Sequence, residues 1–206
     1  MLTSRYEQAL VFAHQVHREQ KRKGTEIPYI SHLIAVSSLV IEAGGNEDEA
    51  IAALLHDAIE DCPKEYPGYI DRLKEDIHWQ FGKVVLKIVE HCSDTEEETK
   101  PPWRKRKEDY IRAIAKKPKD ALLVSCADKL HNARAILSDY RVSGDELWER
   151  FNGGRDSLWY YRELVIAFKA KGGIPDPLLD ELERTVHKLH IKAGAEKEWT
   201  VESTLQ

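Results

Sequence analysis

Nearly every stretch of this sequence repeats its apolar residues at intervals of three and four, and no stretch of useful length alternates them in twos. That spacing lines one side of a helix and cannot line one face of a strand. The chain is therefore expected to be all-α. Capping residues, glycines and prolines divide it. Ser4 with Glu7 forms a capping-box pattern that opens a helix expected to run to about Arg22, before Gly24. A second helix is expected from near Tyr29 to Gly44-Gly45, and Asn46 with Glu49 opens a third. After Pro63 and Pro67-Gly68, helices are expected over about Tyr69–Phe81 and Lys83–Cys92. The acidic run from Asp94 to Pro102 reads as a surface loop. Further helices are expected over about Trp103–Lys116, Lys119–Tyr140 and Asp156–Lys171, the last preceded by a loop with Gly153-Gly154. Asp176 and Pro177 read as the N-cap and first-turn proline of a final helix reaching about Ala193.

At 206 residues the chain is long enough to bury a core of its own. We expect residues 1–172 to form one compact multi-helix bundle and 173–206 a helical extension packed on or beside it. Apolar residues at 42% and charged residues at 33% describe a globular protein, and no apolar run reaches the roughly 20 residues of a membrane span. The segment Met1–Tyr6 lacks the apolar core of a secretory leader. Cys62, Cys92 and Cys126 are odd in number and form no CxxC pair, so a disulfide framework is not expected and a reducing cytoplasm fits. A net charge of −5 argues against general nucleic-acid binding but permits a local basic pocket for a small anion.

The third helix carries Ala53-Leu54-Leu55-His56-Asp57-Ala58-Ile59-Glu60-Asp61, an apolar run ending in three carboxylates and an imidazole with no Lys or Arg among them. At helical spacing His56 lies over Glu60 and Asp57 over Asp61, so all four can share one side. Such a concentration of negative charge calls for a positive partner, and a divalent metal is the obvious one. His32 and Asp128 are further ligands of suitable type. Asp128 interrupts a largely apolar helix, where an unpartnered carboxylate costs several kcal/mol. His32, His56, Asp57 and Asp128 together make a mixed nitrogen and oxygen set suited to manganese, iron or zinc.

The order H…HD…ED…D resembles the HD-domain metal-dependent phosphohydrolases. Four segments narrow the resemblance to the hydrolase domain of RelA/SpoT-type enzymes. They are Gln20-Lys21-Arg22-Lys23-Gly24, Pro28-Tyr29-Ile30-Ser31-His32, the run from Ala53 to Asp61, and Ala127-Asp128-Lys129-Leu130-His131-Asn132. The resemblance covers roughly residues 5–170. It implies hydrolysis of the 3′-diphosphate of guanosine tetra- or pentaphosphate with release of pyrophosphate, by a stand-alone hydrolase. It further implies one divalent ion, manganese by preference, on His32, His56, Asp57 and Asp128 at the centre of the bundle. Glu60 and Asp61 would position and deprotonate the attacking water or protonate the leaving group. Arg22 and Lys23 would contact the base and a neighbouring phosphate, and Asn132 the nucleoside. Arg104 is the candidate for the distal phosphates.

Two rival functions stay open on the residues. An added residue between Lys23 and Pro28, and Ala135, leave room for another nucleotide, a nicotinamide phosphate dinucleotide among them. A metal-bearing binding module without turnover is the other. The expected partner is a small nucleotide, with no nucleic acid and no membrane, for a monomer or homodimer. The ordinary reading of Arg22-Lys23 is a pair of cations favoured at a helix C-terminus, and that of Trp159-Tyr160-Tyr161 is core. His14 with His17, and His187 with His190, read as structural.

Overall fold

The computed structural model describes residues 1–61, 66, 68–93 and 101–199; Cys62 and the acidic run from Asp94 to Lys100 lie outside them. Among the described residues the regular structure is helical apart from one isolated antiparallel bridge, Lys21 with Pro28. The chain is all-α. No described helix is long and apolar enough to cross a membrane.

The α-helices are α1 (Ser4–Val16), α2 (Ile30–Glu42), α3 (Glu47–Leu55), α4 (Tyr69–Phe81), α5 (Lys83–Cys92), α6 (Trp103–Ile114), α7 (Lys119–Ser143), α8 (Ser157–Lys171) and α9 (Asp176–Lys192). They group into two compact units, Met1–Lys100 with Pro118–Asp128, and Pro101–Lys117 with Lys129–Gln206.

In the first unit α3 packs against α1, α2 and α5. Its residues from Ala50 to Leu55 are all fully buried. A helix apolar on every side belongs inside a bundle, and α3 is the axis of this one. Its start is set by the expected capping box: the Asn46 side chain accepts from the Glu49 amide at 3.1 Å, and Glu49 accepts from the Asn46 amide at 2.7 Å. The turn before it needs Gly45, where a Cβ would stand 2.6 Å from Val40 Cγ1. Buried Ser37 ties α2 to α3 by donating to the Ala50 carbonyl at 2.9 Å.

Two expectations about α1 are corrected. Its cap is Thr3, whose hydroxyl accepts from the Arg5 amide at 3.2 Å, rather than Ser4. The helix also ends at Val16, well short of Arg22. From Gln20 the chain instead makes a narrow hairpin. Arg22 N–H donates to Ile27 O at 2.8 Å, Tyr29 N–H donates to Gln20 O at 2.9 Å, and the chain reverses through Gly24 at φ 72°. Long-range placement of this segment overrides a pattern that reads locally as helix.

In the second unit α8 packs against α6 and α9. Tyr160, Tyr161, Leu164 and Phe168 are buried in it, so the Trp159-Tyr160-Tyr161 aromatics are in part core, as expected. Residues Gly144–Arg150 and Gly154–Asp156 form short 3-10 turns where the sequence suggested only a loop. His187 and His190 pack on Trp199, with ring centroids 5.0 Å away in each case.

Candidate metal centre

Helix α3 stops at Leu55, and His56 is its C-cap. The expected continuation of the helix through Asp61 is replaced by tight turns, in which Ala58 N–H reaches Leu55 O at 2.9 Å and Asp61 N–H reaches Asp57 O at 2.9 Å. The second of these bonds keeps the helical four-residue spacing between the two aspartates. His32 comes from the first turn of α2 and Asp128 from the buried stretch of α7.

The four side chains meet. His32 Nε2 lies 3.2 Å from Asp128 Oδ1 and 3.7 Å from Asp57 Oδ2. His56 Nε2 lies 3.0 Å from Asp57 Oδ2 and 3.6 Å from Asp128 Oδ1. Ligand atoms at about 2.1 Å from one cation stand roughly 3 to 3.5 Å from each other, so His32, His56 and Asp57 are grouped closely enough to share one divalent ion, with Asp128 near both imidazoles. The side chains of His32, His56 and Asp128 are buried, whereas Asp57 keeps 20% of its side chain accessible, which gives the cluster one wet edge.

The hydrogen bonds around the cluster give it a direction. His56 Nδ1 is 2.8 Å from the Ala53 carbonyl, which can only accept, so Nδ1 carries a proton. That leaves Nε2 facing two carboxylate oxygens without hydrogen-bond geometry to either. Burial alone would push the His56 pKa down, but the neighbouring Asp57 and Asp128 carboxylates outweigh it and raise it well above its usual value. Asp57 is held well below the usual carboxylate range, because His56 and His32 outweigh the opposing effect of burial. The carboxylates thus favour positive charge at the centre of the cluster. A histidine held by a backbone carbonyl with its other nitrogen aimed at carboxylates is the arrangement of metal-ligating imidazoles.

Three residues given no role in the sequence reading surround this cluster. Tyr29 donates its hydroxyl to Asp57 Oδ2 at 2.6 Å, and burial followed by the nearby Asp57 and Asp61 charges raises its pKa, keeping it a donor. Gln20 Nε2 donates to Asp61 Oδ2 at 2.8 Å. His17 Nδ1 is 2.6 Å from Gln20 Oε1, and its ring stacks on Tyr29 at 5.4 Å between centroids. Gln20 and Tyr29 stand in two of the segments that carry the family resemblance, which gave them no role, and His17 lies three residues before Gln20 at a helix end. Of the histidine pair read as structural, His14 is exposed and His17 is buried beside the cluster.

Glu60 and Asp61 are half-buried. Arg22 and Lys23 lie in the hairpin and not in a last helical turn, so the helix-dipole explanation for them does not hold. Asn132 stands four residues beyond Asp128 in α7 and belongs to the second unit. Arg104, also in the second unit, lies 3.3 Å over the Trp159 ring and pairs with Glu108 at 3.0 Å and Asp156 at 3.6 Å.

The family described as HD domain matches residues 9–159. The guanosine-3′,5′-bis(diphosphate) 3′-pyrophosphohydrolase MESH1 of Drosophila melanogaster is 31% identical over 185 residues, covering 88% of this chain and 94% of that protein. The bifunctional (p)ppGpp synthase/hydrolase SpoT of Escherichia coli is 34% identical over 140 residues, covering 65% of this chain. The chain spans only 18% of the length of that bifunctional relative. A solved structure of a metazoan ortholog of SpoT that hydrolyzes ppGpp superposes with a TM-score of 0.69 at 28% identity, covering 89% of this chain and 96% of that one. The chain belongs to the HD-domain family.

Proposed function

We propose that this chain is a metal-dependent hydrolase that removes the 3′-diphosphate of guanosine tetra- or pentaphosphate as pyrophosphate. The observation that carries the reading is the cluster of His32, His56, Asp57 and Asp128, with the His56 tautomer fixed by Ala53. The likeness to MESH1 along nearly its whole length supports the choice of substrate.

In this reading those four side chains hold one divalent ion, manganese in preference to iron or zinc. When bound, the ion neutralises phosphate charge and lowers the pKa of water. Tyr29 fixes the Asp57 carboxylate from outside the cluster. Glu60 and Asp61 orient the attacking water and take its proton as its oxygen bonds to the phosphorus nearest the sugar. The ribose 3′ oxygen leaves and takes up a proton in turn. Such proton transfer is worth about 10²–10⁴-fold. Arg22 and Lys23 supply charge-assisted hydrogen bonds to phosphate and base, and Asn132 one to the nucleoside. For Arg104 to hold the distal phosphates it must exchange its contacts with Glu108 and Asp156. The same reading has the protein in the cytoplasm as a monomer or homodimer, away from membranes and nucleic acids. A net charge of −5 supports the last of these.

The test is incubation of purified protein with manganese and guanosine tetraphosphate, followed by assay of pyrophosphate. Release that disappears in Asp57→Ala, with helicity kept, is the expected result. No release from the wild-type protein would overturn the reading.

A further inference from the structure

We propose that Gln20, oriented by His17, is a positioning residue that holds the Asp61 carboxylate in place for proton transfer. This rests on the reading of Asp61 given above and adds to it the groups that determine how Asp61 is presented. A primary amide has one accepting end and one donating end, and its orientation decides what it offers a neighbour. Here Oε1 lies 2.6 Å from His17 Nδ1, and Nε2 donates to Asp61 Oδ2 at 2.8 Å.

His17 is 2% exposed, and its Nε2 is buried without a hydrogen-bond partner. With Gln20 Nε2 donating to Asp61, Oε1 faces the ring and can only accept, so the ring proton sits on Nδ1, facing Gln20. Burial also pushes the His17 pKa below 6.5, which keeps the ring neutral. A flipped amide would set its carbonyl against the Asp61 carboxylate and its NH₂ against the His17 N–H, two repulsive contacts in place of two attractive ones. His17 therefore selects the amide orientation that gives Asp61 a donor. The same ring stacks on Tyr29, which donates to Asp57. One buried histidine thus braces the donors to both aspartates of the motif.

The test compares Gln20→Met and Gln20→Glu in manganese-loaded protein turning over guanosine tetraphosphate. Each is made with and without Asp61→Asn, and melting curves verify folding. Gln20→Met is expected to lower kcat by about tenfold to a hundredfold with KM nearly unchanged. Gln20→Glu should be worse, because it places a second carboxylate against Asp61. A purely packing role predicts the opposite order, since Glu matches Gln in shape at this half-buried position. Gln20→Glu turning over as fast as wild type would overturn the inference. Crystal structures of wild type and Gln20→Met give a readout free of turnover. The Asp61 carboxylate should leave its wild-type position, and an unmoved carboxylate sinks the idea. Full activity in Asp61→Asn would instead reject the role of Asp61 itself. An inactive Asp61→Asn beside a fully active Gln20→Met rejects the brace alone.

Discussion

His56 is tethered to Ala53 through Nδ1, and that bond at 2.8 Å leaves Nε2 to face the carboxylates of Asp57 and Asp128. Those carboxylates raise the pKa of His56, so a ring proton competes with metal for Nε2. Metal binding must then expel that proton. The sign follows directly: lowering the pH favours the protonated ring and weakens binding, while raising it strengthens binding until the ring of the metal-free protein is neutral. Because the pKa is raised, this strengthening continues above the 6.5 of an ordinary histidine. Calorimetric titration with manganese in two buffers of different ionisation enthalpy should reveal proton release near neutral pH. His56→Ala should abolish both the release and the binding.

Tyr29→Phe removes one oxygen, the donor to Asp57, and keeps the ring that stacks on His17. Turnover should fall by about tenfold to a hundredfold, as for other groups that orient metal ligands. The melting temperature should move by only a few degrees. A variant that melts far lower but turns over normally would show the hydroxyl to be structural.

The core was readable and the bracing of the site was not. Glycine and proline punctuation located α4 and α5 to the residue, and Asn46 with Glu49 located the start of α3. His32, His56, Asp57 and Asp128 could be singled out because buried charge needs a stated partner, and the structure brings them together. Gln20 and Tyr29 carry no such signal. Their importance depends on the hairpin that replaces the end of α1, and on their bonds to Asp61 and Asp57, distant in sequence, which local periodicity does not encode. The 3-10 turn over Gly144–Arg150 escaped for a related reason, since Trp148 is buried there by the folded chain and not by any repeat.

Leu54→Ala tests the claim that α3 is the axis of the first unit. Leu54 is fully buried, and the change leaves a cavity that its neighbours can fill only in part. We expect a loss of about 2–5 kcal/mol, measured by urea denaturation with metal saturating. A loss below roughly 1 kcal/mol would mean that the helix is not packed as described.

His190 gives a second pH effect, well removed in sequence from the motif. It is fully buried, bonds the Val186 carbonyl through Nδ1 at 2.9 Å, and has its pKa lowered, chiefly by burial. An unfolded chain protonates this ring near 6.5, whereas the folded one resists until lower pH. Stability associated with His190 is therefore complete above about 6.5 and declines as the pH falls toward the folded pKa. His190→Asn should flatten the fall in denaturation free energy as the pH drops below about 6.5. An unaltered slope in the variant would assign the acid sensitivity to other groups.

The hairpin that carries Arg22 and Lys23 is anchored at its two feet by Gln20 and Tyr29, the same residues that grip Asp61 and Asp57. In the proposed reading, recognition at its tip and reactivity at its base are therefore mechanical neighbours. Lengthening or shortening the strip between residues 23 and 28 should then alter turnover as well as affinity. On that reading selectivity would be enforced after capture, by whether the occupant seats the feet.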